Sequence, residues 1–525
     1  MRCMSQISLS TDVPTLDTCR LPNPWTALPQ ANSLAEVRFP RSACASATLS
    51  LSRPVTIGKL SDSVLLNIFC YYLEVSPRYW PTLLHRCRQW RHIAFASQRA
   101  LHIRLFCTHG TPVLRALVCW STLPIVMTYG GSPALDMPVP DNENDVMAAL
   151  KQSDRVRSLS VTVTNSLLKK TSSNMVKRPF SELEDLVLLS RDDVRLTLPI
   201  AFRWDPRLRL LHLTRIDFPA FLQLPYSSRN LVDLQLHEVL DPCHFSPEDL
   251  TNALSEMAQL RSLSLYLLST ANYVISPPFV ERVVLPSLTR LNFRGITRHL
   301  EDLVARIDTP PLEDIEVTLI NKFVFDLSKL GEFINRIEMH KSHRRADILS
   351  SERSFSISFI QPGAPTCIKL QLFHESLNVQ LTTVTRICTH LSAALSNVED
   401  LRIKATRPPG CTVGLDIRRW LEPINLFPGV KWLHVAGNLS TDIMHALQLP
   451  ERHKTVLPTL HKFSISRPVP YGSPLRRAVV SFMTSRRLSD RPIEVEYERL
   501  SHTSKRHVTG IIHVRRHRCY LLTRV

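Results

Sequence analysis

Glycine is scarce in this chain: 13 of 525 residues, about 2.5 % against about 7 % in average usage. Glycine-rich loops that bring backbone amides up to a phosphate are nearly excluded, and neither G-x4-G-K-[ST] nor G-x-G-x-x-G occurs. H-E-x-x-H and G-x-S-x-G are missing as well, so the spacings of zinc proteases and nucleophile elbows are absent. The twelve cysteines are scattered, with no pair at C-x2-C or C-x4-C spacing. They read as reduced, mostly buried thiols, with no metal centre. No apolar run reaches the roughly 20 residues of a membrane span. The most apolar stretch, Ala116–Met127, contains Pro124 and has Arg115 at its edge, so we expect no transmembrane helix. Met1–Pro14 lacks the apolar segment of a secretory signal, which agrees with a reducing compartment, cytoplasmic or nuclear.

What remains is a foldable composition, 44 % hydrophobic and 21 % charged, with mean hydropathy −0.04. Proline is plentiful, 37 residues. Lys and Arg number 64 against 46 Asp and Glu, a net charge of +18, which raises the expectation of acidic partners. The excess is uneven. Between Arg476 and Val525 stand twelve Lys and Arg and four acids, a net of +8.

Residues 1 to 56, rich in Ser, Thr, Ala and Pro, show neither helical nor alternating periodicity and read as a disordered leader. The character changes at Leu60. Val64, Leu65, Ile68, Phe69, Tyr72 and Leu73 form one broad apolar helical face, with Ser61 or Asp62 as N-cap. A second helix is expected from Pro81 to about Ala96, with Leu83, Leu84, Cys87, Trp90 and Ala94 on one side.

Beyond about residue 155 the pattern L-x-x-L-x-L recurs, beginning at Leu183, Leu208, Leu231, Leu260, Leu288 and Leu312, and again at Val398, Val430 and Leu460. The first six starts lie roughly 23 to 29 residues apart, within the leucine-rich-repeat period. In each unit the last two apolar positions alternate as a short strand and the first opens the turn into it. Such a unit hides its leucines only by stacking on its neighbours. The expected fold is therefore α/β: a small helical module followed by an irregular leucine-rich solenoid of alternating short strands and helices. The asparagine that usually follows each strand is missing, which makes the repeats irregular. A gap between about 321 and 397 contains a basic patch at 341–345 and strand-like Ser354–Ile360 and Ile368–Phe373. An amphipathic helix from Leu381 to Leu395 follows, and the gap divides the array into two candidate blocks.

The segments Leu60-Ser-Asp-Ser-Val-Leu-Leu-Asn-Ile-Phe69, Leu84-His-Arg-Cys-Arg-Gln-Trp-Arg-His-Ile-Ala94 and Ala100-Leu-His-Ile-Arg-Leu-Phe-Cys107 together resemble the F-box proteins of higher fungi. The likeness continues through Leu285–Ile296, Leu300–Asp308 and Arg487–Pro492, covering most of residues 57 to 498. The resemblance implies an adaptor with two partners. The F-box docks on the Skp-type linker of a cullin-RING ubiquitin ligase, and the leucine-rich region chooses an unknown protein substrate. By the same analogy Leu60, Leu65, Ile68, Leu84, Cys87 and Trp90 lie at or beneath the linker interface. Two departures fall inside the motif: Ser61 replaces the family's proline, and Arg86 stands where valine is usual, placing a charge in an apolar contact.

The resulting domain map is a leader at 1–56, an F-box at 57–107, a first repeat block at 108–340 and a basic linker at 341–353. A second block at 354–498 and a basic tail at 499–525 complete it. No catalytic residue, cofactor, metal or membrane partner is expected. His85-x-Cys87 and Cys388-Thr-His390 read as packing, and the tail's Lys505-Arg-His507 and Arg515-Arg-His-Arg518 lack interleaved aromatics for base stacking. Nucleic-acid contact through the tail is the less favoured partner. The alternative to the adaptor is a noncatalytic scaffold or nucleic-acid-associated protein with a degenerate F-box.

Overall fold

The computed structural model of the protein describes residues 60–75, 87–97, 101, 104–107, 113–129, 143–177, 180–191, 196–198, 207–219, 229–238, 247–267, 282–320, 327–337, 343–351, 353–361, 367–374, 377–391, 395–405, 417–437, 440–448, 456–466, 473–489 and 491–497. The expected leader and basic tail lie outside these residues. The chain divides into two compact units, Met1–Val64 and Leu65–Val525, the boundary falling inside its first helix.

That helix, α1, spans Asp62–Val75. Ser61 caps it, its Oγ accepting from the Val64 N–H at 3.4 Å. The second helix, α2, runs Arg88–Ala96 and so begins later than the sequence predicts. Cys87 is extended (φ −157°, ψ 169°) and serves as its N-cap, Sγ accepting from the Trp90 N–H at 3.5 Å. Of the expected helix, residues 81–86 lie outside the described residues.

The remaining elements alternate. In order they are β1 (Leu105–Cys107), α3 (Val113–Cys119), β2 (Ile125–Tyr129), α4 (Glu143–Leu150), β3 (Val156–Val163), α5 (Asn165–Lys177) and β4 (Asp185–Ser190). Next come β5 (Leu196–Thr197), β6 (Leu210–Thr214), β7 (Ile216–Asp217), β8 (Asp233–His237), α6 (Pro247–Ser255) and β9 (Ser262–Leu267). They continue with β10 (Val283–Val284), β11 (Arg290–Gly295), α7 (Thr297–Arg306), β12 (Ile307–Asp308), β13 (Asp314–Leu319) and α8 (Ser328–Arg336). Then follow β14 (Arg345–Ser350), β15 (Ser354–Ile360), β16 (Cys367–Phe373), α9 (Leu377–His390), β17 (Asp400–Ala405) and α10 (Leu421–Ile424). The last are β18 (Trp432–Gly437), α11 (Ser440–Ala446), β19 (Lys462–Ile465), α12 (Pro474–Leu488) and β20 (Glu494–Tyr497). The described residues thus form a mixed α/β structure of twelve helices and one large, mostly parallel sheet.

Sixteen strands make that sheet, in the order β1-β2-β3-β4-β6-β8-β9-β11-β13-β16-β15-β14-β17-β18-β19-β20. The nine leucine motifs supply nine of them. In each motif the first, fourth and sixth positions are buried: Leu231, Leu234 and Leu236, for example, are at most 1 % exposed. The first leucine closes a tight turn, as where the Leu288 N–H donates to the Leu285 carbonyl, and the next residue donates into the preceding unit, as from Val232 to Arg209 and from Arg261 to Val232. A motif leucine is therefore fixed by the neighbouring repeat, which is why the pattern could be read from spacing alone. Arg215 and Glu238, just after β6 and β8, take left-handed backbone angles (φ 57° and 54°) at strand exits that lack glycine or asparagine.

Between β13 and β17 the order reverses. Residues 345–350, assigned from sequence to a basic linker, are strand β14, because Ala346, Ile348 and Ser350 alternate inward. β14 pairs antiparallel with β15, and β15 antiparallel with β16, so β16 lies against β13 and β14 against β17, both parallel. The sheet runs through the break in the leucine period without interruption. The helix expected over 381–395 instead spans Leu377–His390, burying Leu381, Val384, Ile387 and Cys388.

Adjacent units are also fastened by arginines. Arg155 donates to the carbonyls of Trp120 and Leu123 ahead of β2, Arg336 to those of Val304 and Ile307 ahead of β13, and Arg486 to those of Val456, Leu457 and Leu460 ahead of β19. Each gives side-chain donors to carbonyls of the segments that lead into those strands. Helices α8 and α9 meet where a Cβ on Gly331 would lie 2.5 Å from the His390 Cβ. Helix propensity alone would favour Gly331→Ala by about 1 kcal/mol, but the overlap costs about 1–3 kcal/mol. The variant is expected to melt at lower temperature than the parent, a reversal of sign that calorimetry detects.

Candidate functional site

Helix α1 separates its apolar residues into two rows. Leu65, Phe69 and Leu73 are buried, at 0 %, 0 % and 7 % exposure, whereas Ile68, Tyr71 and Val75 are 41 %, 71 % and 68 % exposed. The exposed three stand at i, i+3 and i+7, one stripe along the helix. Sequence reasoning saw a single broad face. The split arises because Trp90 of α2 packs edge-on against Phe69, ring centroids 5.0 Å apart, and thereby fixes which side of α1 turns inward. Helix α2 is held in turn by its last residues, Phe95 stacking on Trp120 at 5.4 Å.

The residues expected at the linker interface are therefore placed differently from one another. Ile68 is exposed on the stripe, Leu65 is fully buried beneath it, and Trp90 is half-buried against Phe69. Cys87 is exposed at the start of α2, its sulfur engaged in capping and not in an apolar contact. Leu60, half-buried, belongs to the N-terminal unit. Leu84 and Arg86 lie outside the described residues. Tyr71 and Val75 were missed as stripe members. Their helical phase with Ile68 was available in the sequence, but nothing there told which of two adjacent apolar rows would be covered.

Polar chemistry is sparse around the thiols. Burial pushes the Cys388 thiol up to about 12, and burial with the nearby Asp145 charge pushes Cys107 to about 11, so both are protonated at neutral pH and poor nucleophiles. Among the described residues no three His, Cys, Asp or Glu side chains are grouped to hold a metal ion. No helix among them is long and apolar enough to cross a membrane.

Neither a scan against protein-family models nor a search of curated proteins returns a match for this chain.

Proposed function

We propose that the protein is a noncatalytic substrate-recognition adaptor of an SCF-type (cullin-RING) ubiquitin ligase acting in the cytoplasm or nucleus. In this reading α1 and α2 form an F-box that docks on a Skp-type linker. The strand-and-helix array is a leucine-rich solenoid that binds a protein substrate. The observation that carries it is the exposed stripe of Ile68, Tyr71 and Val75 on a helix whose other face is buried. Three large apolar side chains at helical spacing, one of them a tyrosine, are what a partner's groove engages as anchors. The nine stacked L-x-x-L-x-L units that follow supply a surface for a second macromolecule.

The test is co-purification of the full chain with the Skp linker. Substituting Ile68→Asp and Tyr71→Asp together places charges in the docking face without touching the buried row, and is expected to weaken linker binding by about 30-fold or more while leaving the melting temperature unchanged. Undiminished binding by this variant overturns the assignment of the stripe. Failure of the parent chain to bind, with recovery in Arg86→Val, identifies a degenerate F-box and favours the scaffold reading.

A further inference from the structure

The buried leucines occupy one face of the sheet. The other face is polar, and across β6, β8 and β9 it carries a connected set of rings that ends at an arginine on β11. Thr214, His237, Tyr266 and Arg294 are register partners on neighbouring strands, followed by Thr318 on β13. The His237 and Tyr266 rings stack at 3.8 Å with 10° between their planes, and the Arg294 guanidinium lies over the far side of the row, 5.7 Å from the Tyr266 centroid. The imidazoles are held in place by hydrogen bonds. His212 Nε2 and His237 Nδ1 are 3.2 Å apart, Thr214 Oγ1 is 3.0 Å from His212 Nε2, and Ser264 Oγ is 3.0 Å from His237 Nε2. A platform of this kind is rigid before a partner arrives, which lowers the ordering cost of binding.

At one end its charge has no ion-pair partner among the described residues. Of the nearby carboxylates, Glu316 is bound by Lys369 at 2.6 Å, Asp233 by Gln235 at 3.0 Å and Glu238 by Arg215 at 2.7 Å. Arg294 is exposed and makes no ion pair among the described residues, and its two register neighbours, Tyr266 and Thr318, are uncharged. The Tyr266 hydroxyl likewise makes no hydrogen bond among the described residues. A guanidinium over the ring of a tyrosine, itself stacked on an imidazole, matches a carboxylate carried on an extended chain.

We infer that this platform, Arg294, Tyr266 and His237, is the site where the array binds its substrate, and that the substrate segment is acidic, seating a carboxylate on Arg294. The inference rests on the adaptor reading for the word substrate, but not for the site. Burial and the Arg294 charge keep His237 neutral at physiological pH, so Arg294 is the cation of the platform.

The probe is a short fluorescent peptide of alternating Glu and Tyr, titrated by anisotropy into the full-length chain without linker protein. We expect saturable binding that is weakened about tenfold by replacing the peptide's Glu with Gln and about tenfold by Arg294→Gln. Lys404→Gln, which removes one exposed charge from the same face of β17, should leave it unchanged. Arg294→Glu should reverse the preference toward a Lys-Tyr peptide. Equal losses from Arg294→Gln and Lys404→Gln would show attraction by net charge alone and overturn the inference. So would absence of binding, or tighter binding of a single-stranded oligonucleotide that depends on Arg294. Peptide binding lost while the linker is retained overturns only this site. Linker binding lost while the peptide is retained overturns only the adaptor reading.

Discussion

Replacing Arg486 with methionine is expected to lower the unfolding free energy by about 3 kcal/mol. Arg486 lies on the inward side of α12, with Phe482 and Val479 one and two turns before it, and is only 4 % exposed. Its guanidinium donates to the Val456 carbonyl at 3.4 Å, Leu457 at 3.1 Å and Leu460 at 3.2 Å, and sits over the Phe482 ring at 5.9 Å. Methionine keeps the length and apolar stem but supplies no donor, so the carbonyls of Val456 and Leu460 lose their arginine partner out of reach of water. Each such loss costs about 1–3 kcal/mol, offset in part by no longer burying a charge. Urea titration read by tryptophan fluorescence should show a lower midpoint. Arg487→Met, one residue on and exposed, should change it by less than about 0.5 kcal/mol. Equal effects from the two variants would mean that the clasp carries no net stability.

Acidification should destabilise the fold through two largely buried histidines. Burial, with the Arg294 charge second, holds His237 down at about 4, and burial, with the Arg298 charge second, holds His299 at about 4. The unfolded chain takes up these protons near pH 6.5, whereas the native chain resists until about pH 4. The stability they contribute is therefore complete above pH 6.5 and is lost as the pH falls from 6.5 to 4. With allowance for solvent screening at His237, the two together account for on the order of 4 kcal/mol. The His237→Gln, His299→Gln double variant should show a flatter pH dependence over that interval and an unchanged one below it. A double variant that retains the parent's slope would assign the acid sensitivity to other groups.

The leucine motifs were legible because their spacing is imposed by a backbone rule: each unit must present apolar positions to the previous unit's turn and strand, and a shift of one residue would expose them. Leu186, Leu213, Phe293 and Ile403 followed from that rule, and all are buried. Strand β14 was hidden because Lys341-Ser-His-Arg-Arg345 runs into its first residue, and a cluster of charges at a strand's start says nothing about the alternation that follows. The reversed order of β14, β15 and β16 is a tertiary choice, invisible to local periodicity. The arginine clasps escaped for another reason. An arginine in a helix ordinarily reads as solvated, and only its phase with Val479 and Phe482 would have marked Arg486 as facing inward. The stacked His237 and Tyr266 belong to units 29 residues apart by their motif starts, Leu231 and Leu260, and only the parallel register brings them together.

The reversed segment also sets how the sheet can assemble as the chain leaves the ribosome. From β1 to β13 each new sheet strand is laid beside the one made just before it, apart from the two small pairs β5–β7 and β10–β12. At β13 that coincidence ends, because its partner is β16, whose residues begin at Cys367, and the intervening β14 cannot settle until β15 and β16 have arrived. Synthesis at about 5–20 residues per second makes the wait a few seconds. For that time the β13 edge, with Ile315, Val317 and Leu319 on its apolar side, is the growing end of an unfinished sheet and the point at which a chaperone or a second nascent copy would find it open.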